Sequence, residues 1–267
     1  MRCEPSSSAT ALPMPTEADR ETTTFPAVRR VSATAPFGWL VGGWLDYRAH
    51  PALSLFYGAC FATMGWLIAY TFRHAYEYVS ALVAGFFLVG PFLAIGLYDL
   101  SRRRERGDPV RLRPTLTAWA ANVGSIGMFT LVLIVILLVW GRASLIVFAL
   151  FYSGPMPTVG AFVQQLTSPG NLEFVLVYAC VGGIFAVLVF AISVVSVPMM
   201  LDRGTDGIVA VLTSLRTFAA NVPAMVVWGA LIVALTAIGF ALAFIGLVVV
   251  VPVIGHATWH AYRALVE

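Results

Sequence analysis

Residues Gly90–Arg106, GPFLAIGLYDLSRRRER, constrain this chain more than any other stretch. An apolar run holding Pro91 ends in Tyr98 and Asp99 and is followed at once by Arg102, Arg103, Arg104 and Arg106. A hydrocarbon-length run closed by arginines is the pattern of a membrane helix emptying into a cytoplasmic anchor.

The rest of the chain agrees with a bilayer setting. Of its 267 residues, 60% are hydrophobic and only 11% charged, against about 25% charged in a soluble domain. All 16 basic residues are Arg, and they cluster beside the apolar runs. They therefore read as orientation anchors, and no nucleic-acid partner is expected because no binding module accompanies them. Cys3, Cys60 and Cys180 show no paired spacing that would suggest a disulfide framework or a zinc site.

Residues 1–36 are rich in Ser, Thr, Pro and Ala, lack an apolar leader core, and read as a disordered cytoplasmic tail. Residues 37–267 read as one membrane domain. Phe37–His50 interleaves Trp39 and Trp44 with Asp46 and Arg48, which suits a short interfacial helix. Spans are expected at Ala52–Phe72, Tyr78–Leu100, Gly124–Trp140 and Glu173–Leu201. Arg142 is read as closing the third span, with an interfacial or re-entrant piece in the 143–172 loop. Ile208–Asn221 reads as an amphipathic helix. From Pro223 to Arg263 no charge occurs, and one helix of that length would measure about 60 Å, twice a hydrocarbon core of about 30 Å. It must fold back, with Gly239 and Gly246 bracketing the turn. The expected fold is all-α: a polytopic bundle of six transmembrane helices. The arginine-rich tail, the Arg102–Arg113 loop, the Arg203–Arg216 linker and the Arg263 end place both termini in the cytoplasm, at an inner membrane.

An internal repeat is also visible. Leu116–Val123 (LTAWAANV) and Leu215–Val222 (LRTFAANV) share AANV, and Pro223–Ala230 echoes Pro51–Ala59. Three span ends place a proline before an arginine: Pro91–Arg102, Pro198–Arg203 and Pro252–Arg263. Three hairpin repeats, each preceded by a short interfacial helix, are the reading. The three ends are then expected to meet on one face, with Asp99, Asp202 and His260 near one another.

Few residues could carry chemistry. His256 and His260 stand at i, i+4 spacing, competent for a metal or haem iron, although no third ligand lies nearby in sequence. Asp46, Asp99 and Asp202 each adjoin an arginine (Arg48, Arg102, Arg203) and form a candidate cytoplasmic-face cluster of ion pairs. Asn122 and Asn221 occupy matching repeat positions and are candidates for helix-packing hydrogen bonds. No ionisable residue sits mid-span, which weakens a coupled-transport reading. No phosphate loop or nucleophile elbow is present.

GWLDYRAHP, GPFLAIGLYDLSRRRERG, SVPMMLDR and VPVIGHATWHAYRALV together resemble the bacterial integral-membrane family called domain of unknown function 2189. The resemblance runs from about Trp39 to the C-terminus. Some members carry a cytochrome c oxidase subunit label, which would imply a haem or metal role. The family brings no catalytic residues to transfer.

Three readings therefore stand together. The first is a non-enzymatic accessory or assembly partner of membrane complexes, respiratory ones among them, embedded in lipid and needing no cofactor. The second is a small permease or channel. The third is a metal- or haem-binding subunit using His256 and His260.

Overall fold

The computed structural model describes residues 25–75, 78–151 and 171–267, and among these the regular secondary structure is all helical, with one isolated β-bridge. The helices are α1 (Ala35–Ala49), α2 (Pro51–His74), α3 (Val79–Arg106), α4 (Leu112–Leu116), α5 (Val123–Phe151), α6 (Leu172–Ser193), α7 (Ser196–Arg203), α8 (Gly207–Ala220), α9 (Val222–Ala241) and α10 (Leu247–Leu265). A short 3₁₀ turn, Ala118–Asn122, leads into α5.

Proline and glycine set many of the boundaries. Pro36, Pro51 and Pro223 sit in the first turns of α1, α2 and α9, where the missing N–H costs nothing and the fixed φ suits a helix. Gly107 and Gly204 end α3 and α7 at φ 71° and 63°, a left-handed conformation that disfavours other residues. Asp206 opens α8 by accepting a 2.8 Å bond from the Ile208 amide.

Four helical stretches are long and apolar enough to cross a membrane: Pro51–His74, Ala118–Phe151, Leu172–Arg203 and Val222–Ala241. They cover the first, third, fourth and fifth of the six expected spans. One boundary moves. Helix α5 does not stop near Trp140 but passes through Arg142 to Phe151. At 29 residues it is about 43 Å long, so an arginine can stand beyond a core of about 30 Å without ending the helix. Of the 143–172 loop where the interfacial or re-entrant piece was expected, residues 143–151 belong to α5, and residues 152–170 lie outside the described residues. The fold-back after Pro223 is a five-residue turn, Leu242–Gly246, between Gly239 and Gly246. The two glycines touch: a Cβ on Gly246 would lie 2.9 Å from the Gly239 Cα.

The fourth span is bent at Val194–Val195, between α6 and α7. Pro198 explains the bend, because its ring lacks the N–H for the Val194 carbonyl and crowds it. Ser214 of α8 repairs the ladder beside the break. Its hydroxyl donates to the Ala191 carbonyl at 2.7 Å and receives the Val195 amide at 3.4 Å. One serine thus replaces a lost backbone bond and ties α8 to the kink.

Helix α10 is the hub, packed against α1, α2, α3, α7 and α9. Glycines allow that density. A Cβ on Gly43 of α1 would fall 2.6 Å from the Ala257 amide, and one on Gly58 of α2 would collide with the Val248 carbonyl. In lipid, where apolar surface gains nothing by leaving one hydrocarbon for another, such close van der Waals packing is what joins helices. Helices α5 and α6 pack antiparallel, with Phe148 on Phe174, Ser144 bonded to Tyr178 at 2.7 Å, and Trp140 beside Gly182.

The last residues of the expected tail are pinned to the C-terminus. Val28 bridges Val266, the Arg29 amide donates to the Leu265 carbonyl at 2.8 Å, and the Arg29 side chain pairs with Glu267 at 2.9 Å. Residues 1–24 lie outside the described residues.

Candidate functional site

At one end of the bundle the final turns of α3 and α10 stand side by side, flanked by α1 and α7. Residues 102–106 of α3 are five consecutive polar side chains, and a helix turns about 100° per residue, so together they point around a full circle. Arg102 and Arg103 share Asp99, and the other three find partners on other helices. Arg102 donates to Asp99 at 2.5 Å and, through its other terminal nitrogen, to the Leu201 carbonyl of α7 at 2.6 Å. Arg103 pairs with the second oxygen of Asp99 at 2.6 Å. Arg104 reaches Asp46 on α1. Glu105 accepts the Trp259 indole N–H at 2.8 Å and Arg263 at 2.9 Å, both from α10. Arg106 pairs with Asp202 on α7 at 2.6 Å.

Asp202 also accepts the Tyr262 hydroxyl at 3.0 Å, and that oxygen accepts Arg203 at 2.8 Å. Asp99 is wholly buried and Asp46 nearly so. Burial alone would raise the Asp46 carboxyl. Hydrogen bonds from His260 and Ser101, with the nearby imidazole charges, instead hold it below its ordinary 3.8. No buried side-chain nitrogen or oxygen among the described residues lacks a partner.

The three proline-then-arginine ends thus converge on one network that includes Asp99, Asp202 and, through Asp46, His260. Two sequence neighbours do not pair as expected. Asp46 bonds Arg104 and His260 rather than Arg48, and Asp202 bonds Arg106 and Tyr262 rather than Arg203. Residues one or two apart on a helix point in different directions and cannot face each other. Glu105, Arg106, Trp259 and Tyr262 also belong to the network. The signal for them was the RRRER run itself, which a single neighbour could not have satisfied.

The two histidines share no partner. His256 is buried, with Nε2 3.0 Å from the Ser54 hydroxyl and Nδ1 2.8 Å from the Ser101 hydroxyl. His260 sits over Gly42 with Nε2 3.0 Å from Asp46. Both ring nitrogens of His256 are thus engaged by serine hydroxyls, and the two imidazoles do not converge on a shared partner. No group of three His, Cys, Asp or Glu side chains among the described residues is placed to hold one.

The two asparagines fasten chain segments. Asn122 donates to the Met200 and Thr205 carbonyls, at 3.2 and 3.0 Å, closing the end of α7. Asn221 accepts the Val31 amide at 2.8 Å and donates to the Arg29 carbonyl at 3.0 Å, holding the N-terminal segment. Away from the network, two apolar clefts flank α3. One, of about 410 Å³, lies between α3, α5 and α6; the other, of about 560 Å³, between α2, α3, α9 and α10. Neither is lined by an ionisable side chain, nor by Asn122 or Asn221.

The fold and this network define a multi-pass, all-helical integral membrane protein. Residues 79–202 match the family described as "Predicted integral membrane protein (DUF2189)", which is the family resembled in sequence. The matched segment contains α3 through α6 and most of α7. No curated protein and no solved structure matches the chain.

Proposed function

We propose that this chain is a non-enzymatic, six-span inner-membrane protein that acts as an accessory or assembly partner of other membrane complexes, respiratory ones among them. Helices α3 and α10 supply the second and sixth spans, and both termini face the cytoplasm. The observation that carries the reading is the separation of polar and apolar parts. Interlocked ion pairs fix one end of the bundle, while the clefts along its length are apolar. A path for a polar solute would need hydrogen-bonding or ionisable groups at depth. A rigid end and an apolar flank suit holding a neighbour in the bilayer. Affinity purification of the tagged chain from native membranes in mild detergent tests this. Defined membrane-protein partners are expected at stoichiometric yield. Repeated recovery of the chain alone, with solute flux into liposomes, would overturn it.

A further inference from the structure

The cleft of about 560 Å³ between α2, α3, α9 and α10 is walled by phenylalanines. Phe61 of α2 and Phe86 of α3 meet edge to face, with ring centroids 6.0 Å apart. Phe240 of α9 and Phe244 of the turn that follows meet in the same way at 5.4 Å. Phe72 and Phe240 are exposed, so the cleft opens sideways into lipid.

Phe244 holds its place under strain. Its φ is 67°, in a region that bulky side chains avoid. The ring lies against Gly65 of α2, where a Cβ would fall 2.6 Å from ring carbon Cδ1. The Trp66 indole holds the preceding carbonyl, that of Ala243, at 2.7 Å. Helix α2 thus receives the ring and fixes the turn that carries it. A strained residue kept so firmly marks a place where the direction of a side chain matters. Here that direction is into the lining of the cleft.

One polar side chain shares this lining. The Thr236 hydroxyl of α9 has no hydrogen-bond partner among the described residues. Thr236 stands 14 residues after Val222, about 21 Å along the helix, and therefore about 9 Å inside the far edge of a hydrocarbon core of about 30 Å. At that depth a phospholipid acyl chain offers only methylenes. A ligand that answers the hydroxyl carries an oxygen within the hydrocarbon itself. One that answers the phenylalanines presents a flat ring to their faces and edges.

We propose that this cleft binds the head ring of an isoprenoid quinone. The Thr236 hydroxyl donates to one ring carbonyl, the four phenylalanines enclose the ring, and the isoprenoid tail leaves into lipid past Phe240. No ionisable side chain lines the cleft to exchange the protons of quinone reduction, so the site holds the quinone without reducing it.

Titration of the purified full chain in lipid nanodiscs with a short-tailed benzoquinone tests this, because quinones quench nearby tryptophan and Trp66 adjoins the turn. The parent is expected to show a saturable component at about one quinone per chain. Thr236→Val keeps the side-chain shape and removes the hydroxyl, and is expected to weaken that component about tenfold, the effect of one hydrogen bond. Gly65→Leu displaces the Phe244 ring and is expected to abolish it. Quenching that only rises in proportion to quinone content, as partition into the bilayer gives, would overturn the site. So would a saturable component untouched by Thr236→Val, or organic extracts of the chain from native membranes that hold phospholipid and no quinone.

Discussion

Asp46 on α1 and His260 on α10, 214 positions apart, are joined by a 3.0 Å hydrogen bond, and Arg104 of α3 closes on the other oxygen of the same carboxylate. Three helices from distant parts of the chain thus share one nearly buried acid. The prediction is that Asp46→Ala undocks α1 and lowers stability by about 2 kcal/mol. That is less than the 3–5 kcal/mol for a wholly buried pair, because both partners remain part-solvated. Thermal unfolding in detergent measures it, and an unchanged melt would show that the close glycine packing alone holds α1.

The same carboxylate gives the fold an acid limit. Arg104, His260 and His256 face it, and its folded pKa lies below the ordinary 3.8. Its contribution to stability is therefore complete above about pH 4 and is lost as pH falls through the folded value. Melting curves taken between pH 6 and pH 3 should show a decline that is shallower in Asp46→Asn. Identical declines in the two proteins would assign acid sensitivity to other groups.

Glycine substitutions should divide by what stands opposite. Gly58→Ala places a methyl into the Val248 carbonyl and should cost several kcal/mol by separating α2 from α10. Gly127→Ala on α5 meets nothing within 4 Å and should be neutral or gain up to about 1 kcal/mol from helix propensity. Comparable melts for the two variants would contradict the close α2–α10 approach.

Ser214→Ala removes the hydroxyl that bridges the broken ladder, leaving the Ala191 carbonyl and Val195 amide without that partner. A loss of about 1–2 kcal/mol is expected, read from the same melts. No loss would mean that water or a relaxed backbone serves the bend equally well.

The turn between α9 and α10 carries a correctable strain. Ala243 and Phe244 both have positive φ, at 51° and 67°. Ala243→Gly should stabilise by about 0.5–1 kcal/mol, since glycine enters this region freely. The Trp66 indole bond to the carbonyl of residue 243, 2.7 Å in length, should survive. A destabilised variant would show that unfolded-chain entropy outweighs the relieved strain.

Much of the architecture was legible along the chain. Charge-free runs located the four candidate spans, whereas the start of α1 at Ala35 fell inside the segment read as a disordered tail. The uninterrupted run after Pro223 demanded a turn on length alone, and the small residues Gly239 and Gly246 marked where it falls. Arg142 misled, since a charge ends a hydrocarbon crossing but not a helix. The family match covers α3 but neither α1 nor α10, which supply Asp46, Trp259, His260, Tyr262 and Arg263 to the same network.

The opening stretch shows where that legibility stops. Its order, apolar run then RRRER, determined that a helix would leave the hydrocarbon and end in charge, because burying arginine in lipid is costly and helical backbone satisfies itself. Asp99 lies one turn before Arg102 and Arg103 on the same helix, but which partners Arg104, Glu105 and Arg106 meet was decided only in three dimensions. Five consecutive side chains on one helical turn point in five directions, and only the packing of α1, α7 and α10 around that turn placed Asp46, Asp202 and Arg263 where those directions lead.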